Sequence, residues 1–311
     1  MKVGVVGMGA VGRACAMAML ARGSCRELIL VNRTRERAAG VATDLRYGRP
    51  LGPPLDVADG DFGDLTGAEV VLITAGVNEQ SGGATDRDDP RGRLRLLDDN
   101  AKVYRELVPR IVDAAPDAVL IVVTDPPDPL TDIARSAAGH DRVFGTGTLI
   151  DSLRLRVHIA RRLELDPGSV DALVVGEHGK SQVVLWSSAS VGGVPAVELL
   201  AAGGRSAPDV QAEIEEEVSD ANITIIEGIG ASQYGIGLVA ARLAEAVLGD
   251  EGLVQPVGSY QHRYGVTLSL PSVIGRTGVA RALEPVMSGV ERSALERSAQ
   301  VLREAMAGLD R

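Results

Sequence analysis

A chain of 311 residues, 45% hydrophobic and 24% charged, is long enough for one large core or about two domains, and its composition is that of a globular α/β protein. A formal net charge of −10 argues against nucleic acid or anionic membrane as a partner, because those surfaces need clustered Lys and Arg, so any anion must be bound locally. Two cysteines, Cys15 and Cys25, are too few for a disulfide framework and lack metal-ligand spacing with histidine; without a signal-like or membrane-length apolar run, the expected location is the cytoplasm and no metal is expected.

The first predicted strand, Lys2–Val6, runs straight into "GMGAVG", which sets Gly7, Gly9 and Gly12 in G-x-G-x-x-G spacing at the head of a helix predicted over Val11–Ala21. Gly7 permits the tight turn, Gly9 lets a pyrophosphate approach the backbone, and Gly12 allows close helix–strand packing; with Ala10 and Val11 they form a candidate dinucleotide site facing the helix N-terminus. The second strand, Leu28–Val31, ends where NAD sites place an acid for the ribose 2′-hydroxyl, and here the chain reads Asn32, Arg33, Thr34, Arg35. Removing the carboxylate lifts a repulsion against a 2′-phosphate, and guanidinium plus hydroxyl groups bind one, so NADP is favoured over NAD. The alternative is that both arginines are surface residues opening the next helix, Arg35–Leu45, and NAD binds. The third strand, Val70–Thr74, delivers Thr74, Ala75 and Gly76 to the same edge, and Asn100 and Thr124 are further candidate cofactor contacts.

The polar run Glu79–Gly92 reads as a mobile loop, followed by a helix over Leu94–Ala114 and a buried strand over Val119–Val123. Short Val/Ile/Leu runs alternating with amphipathic helices predict βαβ units and a parallel sheet. The expected fold is α/β: a doubly wound Rossmann domain over residues 1–145 and an α+β catalytic domain over 146–311. The second part opens on a helix, Ile150–Leu165, continues through strands at Val170–Val175 and Val183–Ser190, and ends in surface helices with charged faces.

Candidate chemistry comes in chain order: Arg93 at the end of the mobile loop with Asn100 two helical turns on, "VVTDPPD" after the fourth strand, Asp151 and Arg154 in "GTGTLIDSLRLR", and His178 in "GEHGKSQVVLWSS". With these motifs in this order the chain resembles the L-lactate/malate dehydrogenase family, on its lactate-type branch, and the resemblance continues through "SQYGIGLVAARL" and "GVTLSLPSVIGRTGV". The resemblance implies hydride transfer between a nicotinamide cofactor and a 2-oxo/2-hydroxy acid. It makes His178 the proton donor, Asp151 the group that fixes and stabilises its imidazolium, Arg154 the two-pronged partner of the substrate carboxylate, and Arg93 the group that polarises the carbonyl on loop closure. It also implies a homodimer or homotetramer.

The chain departs from the family at several positions. Asp125 stands where the T-N-P motif has Asn, and an ionised carboxylate cannot donate the amide's hydrogen bond. Either Asp125 is protonated in the site, or an amino, imino or hydroxyl group of the substrate meets it. The loop before Arg93 is longer than the family's; Arg87, six residues before Arg93, is the preferred specificity residue, with Gln80 as the alternative. Lys180 replaces an acid and either lowers the proton affinity of His178 or points to solvent. Asp171 replaces a histidine of the sugar-bisphosphate-activated enzymes, although Arg156 matches their arginine, and Ser232 replaces a Thr beside the substrate. Competing readings are a metal- and NAD-requiring glycosidase, which needs Cys/His ligands absent near His178, and a nucleotide sensor without catalysis.

Overall fold

The computed structural model describes residues 1–89, 91–202, 204 and 206–309. In its first half β1 (Lys2–Val6), α1 (Ala10–Arg22), β2 (Glu27–Val31), α2 (Arg35–Gly48), β3 (Asp56–Gly60), β4 (Val70–Ile73), α3 (Leu97–Ala114), β5 (Val119–Val122), α4 (Pro127–Ala138) and β6 (Val143–Gly145) alternate as expected. All four residues of β4 and of β5 are buried, which is why these runs are continuously apolar rather than alternating. β3, "DVADG", escaped the pattern because it is an edge strand with little apolar content; it is held by parallel pairing along β2.

The parallel strands lie in the order β3-β2-β1-β4-β5-β6, so the chain reverses direction across the sheet between β1 and β4. A crevice opens at the carboxyl ends of those strands, where ligands of doubly wound sheets sit.

The second half supplies α5 (Leu149–Leu163), short strands β7 (Val170–Asp171), β8 (Val174–Val175), β9 (Val183–Val184), β10 (Ser190–Val191) and β11 (Val194–Pro195), then α6 (Ala196–Ala201), α7 (Ala207–Ile229), α8 (Tyr234–Leu248), β12 (Leu253–Gln261), β13 (Val266–Gly275), β14 (Gly278–Ala282) and α9 (Gly289–Leu309). The two longer strands expected here are broken into two-residue pieces: the first gives way at Ala172–Leu173, so that β7 pairs with β10 and β8 with β9, and the turn after Leu185 interrupts the second. β12 pairs antiparallel with β6 through Gly258 and Gly145, so a single nine-stranded sheet crosses the expected boundary near Gly145.

One face of the sheet is covered by α1 and α8, burying Cys15, Met19, Leu243 and Val247; α3 and α4 cover the other with Tyr104, Ile111 and Leu130. α8 approaches α1 closely enough that a Cβ on Gly237 would lie 2.7 Å from the backbone carbon of Ala14. No single helix among the described residues is long and apolar enough to cross a membrane.

Candidate active site

The turn after β1 is shaped by its glycines. Gly7 has φ +108°, and a Cβ there would lie 2.6 Å from the Ala75 nitrogen, while one on Gly12 would lie 1.8 Å from the Gly7 carbonyl. Gly9 caps α1 and has nothing within 4 Å of a built Cβ, leaving the helix N-terminus open to an anion. The Thr74 hydroxyl donates to the Gly7 carbonyl at 2.7 Å, and the Asn32 carbonyl accepts the Met8 N–H at 3.0 Å. This cradle fits a dinucleotide: its backbone donors are uncovered and its neighbours hold it in shape.

At the next strand end the Asn32 amide donates to the Thr34 carbonyl at 3.0 Å, so both ends of Asn32 brace the loop. Arg35 pairs with Asp59 at 3.3 Å, and Arg33 is exposed, without an ion pair among the described residues. Thr124 donates to the Ala75 carbonyl at 3.0 Å. Asn100 is completely buried; it accepts the Val77 N–H at 2.6 Å and donates to the Asp125 carbonyl at 2.7 Å. It therefore positions two cleft-forming backbones and does not itself line the cleft.

A cleft runs from Gly9, Ala10 and Val11 past Thr74, Gly76 and Thr124 to Arg93, Asp125, Arg154, His178 and Ser232. Residues far apart in sequence thus meet in one space. Asp151, in the first turn of α5, hydrogen-bonds His178 Nδ1, and Arg154, one turn on, donates to the other Asp151 oxygen at 2.9 Å. Nδ1 is occupied, so His178 turns Nε2 to the cleft, 3.6 Å from Asp125 Oδ1. Arg93 enters from a 3-10 turn over Gly92–Leu96 and brings Nε to 3.2 Å from Asp125 Oδ2. Asp125 therefore bridges the histidine and the loop arginine. Burial alone pushes the Asp151 carboxyl up, but His178, Arg154 and Arg93 outweigh it and hold the group below the usual carboxylate range.

Arg87 lies outside the cleft. Its guanidinium is exposed, donates to Glu227 at 2.8 Å, and stands 3.7 Å from Asp220, both on α7. Gln80 is exposed as well, whereas its neighbour Glu79 lines the same cleft as Asp125. Burial first, then the charge of Asp125, pushes the Glu79 carboxyl up to about 7. The sequence signal was a one-residue choice inside an expanded loop, where spacing cannot fix register. Lys180 is exposed, in line with the solvent-facing alternative, and its ammonium donates to the Arg87 carbonyl at 3.0 Å and meets Asp220 at 3.3 Å, tying the loop to α7. Pro90 of the expected mobile loop lies outside the described residues.

Asp128 was also missed, although an acid in the apolar run "PDPLTDIA" is a visible anomaly. It is 1% exposed; Oδ2 accepts the His178 backbone N–H at 2.6 Å, while Oδ1 is buried without a hydrogen-bond partner among the described residues. Burial raises its pKa well above the ordinary value, and the charges of Glu177, Asp132 and Asp151 reinforce burial against the His178 N–H. The native state therefore keeps a proton that the unfolded chain has lost. Stability from this group is greatest in acid and declines as pH rises above the unfolded carboxylate range. Asp128→Asn keeps the acceptor and removes the titration, so it should raise Tm more at pH 8 than at pH 5; an equal or reversed difference between the two scans would overturn the assignment.

The chain matches the family model for the lactate/malate dehydrogenase NAD-binding domain over residues 1–145 and that for the lactate/malate dehydrogenase alpha/beta C-terminal domain over 148–309. It is 44% identical to an L-lactate dehydrogenase of Deinococcus radiodurans over 306 residues, 97% of either chain. To an L-lactate dehydrogenase of Thermus aquaticus it is 43% identical over 99% of either chain. Among solved structures, a lactate dehydrogenase from a Medee basin deep-sea metagenome library superposes with a TM-score of 0.90 at 32% identity, covering 100% of this chain and 99% of that one. The minor L-lactate dehydrogenase of Enterococcus mundtii does so with a TM-score of 0.90 at 32% identity, covering 99% and 98%.

Proposed function

Because the chain belongs to the lactate/malate dehydrogenase family and is a 2-hydroxy acid dehydrogenase using a nicotinamide cofactor, we propose that His178, Asp151, Arg154 and Arg93 carry the reaction and that NADPH is the favoured reductant. The observation that carries the reading is the His178–Asp151–Arg154 chain opening on the same cleft as the glycine turn. The turn at Gly7, Gly9 and Gly12 would hold the nicotinamide cofactor, whose chemistry would be to supply or accept a hydride at the substrate's C2. His178 then gives a proton from Nε2 to the former carbonyl oxygen in reduction and takes it back in oxidation. Asp151 keeps the proton of Nδ1 in place, so that Nε2 faces the cleft. Arg154 offers its guanidinium to the substrate carboxylate, and Arg93 offers N–H groups to the reacting oxygen.

Asp125 supports a substrate with a donor group. Its carboxylate occupies the span between His178 and Arg93, where a plain ketone oxygen would have to compete with it. A second reading, a lactate dehydrogenase acting on pyruvate with NADH, is favoured by the names of the relatives. A panel of NADH against NADPH with pyruvate, oxaloacetate, and branched, aromatic and amino-bearing 2-oxo acids separates the two. Arg33→Ala is expected to weaken NADPH use by about tenfold, the loss of one charge-assisted contact, and to leave NADH unchanged. Wild-type rates with NADH equal to or above those with NADPH would refute the cofactor preference.

Homo-oligomerisation is supported by exposed apolar side chains on neighbouring helices: Met17 of α1, Leu153 and Val157 of α5, Ile225 and Ile229 of α7, and Tyr234 and Leu238 of α8. Sedimentation at micromolar concentration should give a dimer or tetramer. A fully active monomer would sink this part of the reading.

A further inference from the structure

The charges in the cleft do not suit a substrate whose only charge is its carboxylate. Arg154 and His178 share Asp151. Arg93 faces Asp125 at 3.2 Å, and Glu79, at the other end of the loop that ends in Arg93, lines the same cleft as both. When Arg93 turns to a ketone oxygen, Asp125 and Glu79 are left facing each other in a poorly solvated pocket, which is costly. An incoming cation removes that cost.

We propose that Glu79 and Asp125 form a specificity subsite for a cationic nitrogen, a protonated amine or guanidinium, in the side chain of the 2-oxo or 2-hydroxy acid. The proposal rests on the dehydrogenase reading above and names its substrate class. Glu79 selects; it takes no part in the hydride or proton transfer. Burial and the charge of Asp125 lift its carboxyl, and an incoming cation favours its ionised form.

The test is the ratio of kcat/KM for a cationic acid, 2-oxo-5-guanidinopentanoate, to that for neutral 2-oxohexanoate and anionic 2-oxoadipate, with NADH and NADPH. The wild-type enzyme is expected to favour the cation by about thirtyfold or more, the effect of one well-placed charge pair. Glu79→Gln should collapse that ratio mainly through KM, and Glu79→Asp should restore part of it, which a merely structural role would not do. Preference for the neutral or anionic acid, or a ratio unchanged in Glu79→Gln, overturns the subsite while leaving the dehydrogenase reading intact. Turnover of none of the acids, nor of pyruvate, overturns both.

Discussion

Replacing His178 by Asn is expected to lower kcat/KM for reduction of the best 2-oxo acid by about 10²–10⁴-fold, with cofactor affinity close to wild type. The asparagine amide can donate a hydrogen bond to the substrate oxygen but cannot release a proton, so only the transfer is lost. The fold should survive, because Asp151 keeps its 2.9 Å contact with Arg154 when the imidazole is gone. Cofactor binding should also survive, since the glycine turn and Thr74 make no contact with His178. Steady-state kinetics beside a fluorescence titration of the reduced cofactor separate these effects. A variant with activity within a few-fold of wild type would remove His178 from the reaction, and equal losses of binding and turnover would make it a structural residue.

Arg154→Gln is expected to lower kcat/KM by about 10²–10⁴-fold, chiefly by raising KM, as two charge-assisted hydrogen bonds to the carboxylate disappear. The same change should lower Tm, because Arg154 is a partner of an almost fully buried Asp151. Arg154→Lys separates the two roles. The ammonium keeps a positive charge beside Asp151 and should restore most of the stability, yet it cannot present the planar fork and should stay well below wild-type kcat/KM. If Arg154→Lys were as active as wild type, carboxylate recognition would have to be assigned elsewhere. If Arg154→Gln lost stability but not substrate affinity, Arg154 would be only a counter-ion.

These two residues differ from Glu79 and Arg87 in how their places are fixed. Asp151 and Arg154 are three apart on a helix, so one face presents both, and spacing in the chain implies spacing in the fold. Arg87 and Glu79 lie in a long irregular loop, where no period links number to direction. There the charged groups of another element decide: Asp220 and Glu227 on α7 draw Arg87 outward, Lys180 holds its backbone, and Glu79 turns inward beside Asp125. Lys180 is exposed, as one of its two expected places required, but its partners lie on α7, 40 residues further along the chain, and in the loop, which spacing could not show.

What the sequence by itself determined are the features written in local periods and turns: the buried strands β1, β2, β4 and β5, the glycine turn at the head of α1, the helix bearing Asp151 and Arg154, and the ordered motifs that carry the family. Backbone sterics and burial dictate these from a few adjacent residues. Only the tertiary structure decided how β6 and β12 join two halves into one sheet, that Asn100 braces backbones, that Asp128 is a buried acid behind His178, and that Asp125 stands between His178 and Arg93 with Glu79 at its side. The first two are set by hydrogen bonds and the others by charge and desolvation, in every case among groups brought together from distant parts of the chain, and such energies depend on separation in space rather than separation in sequence.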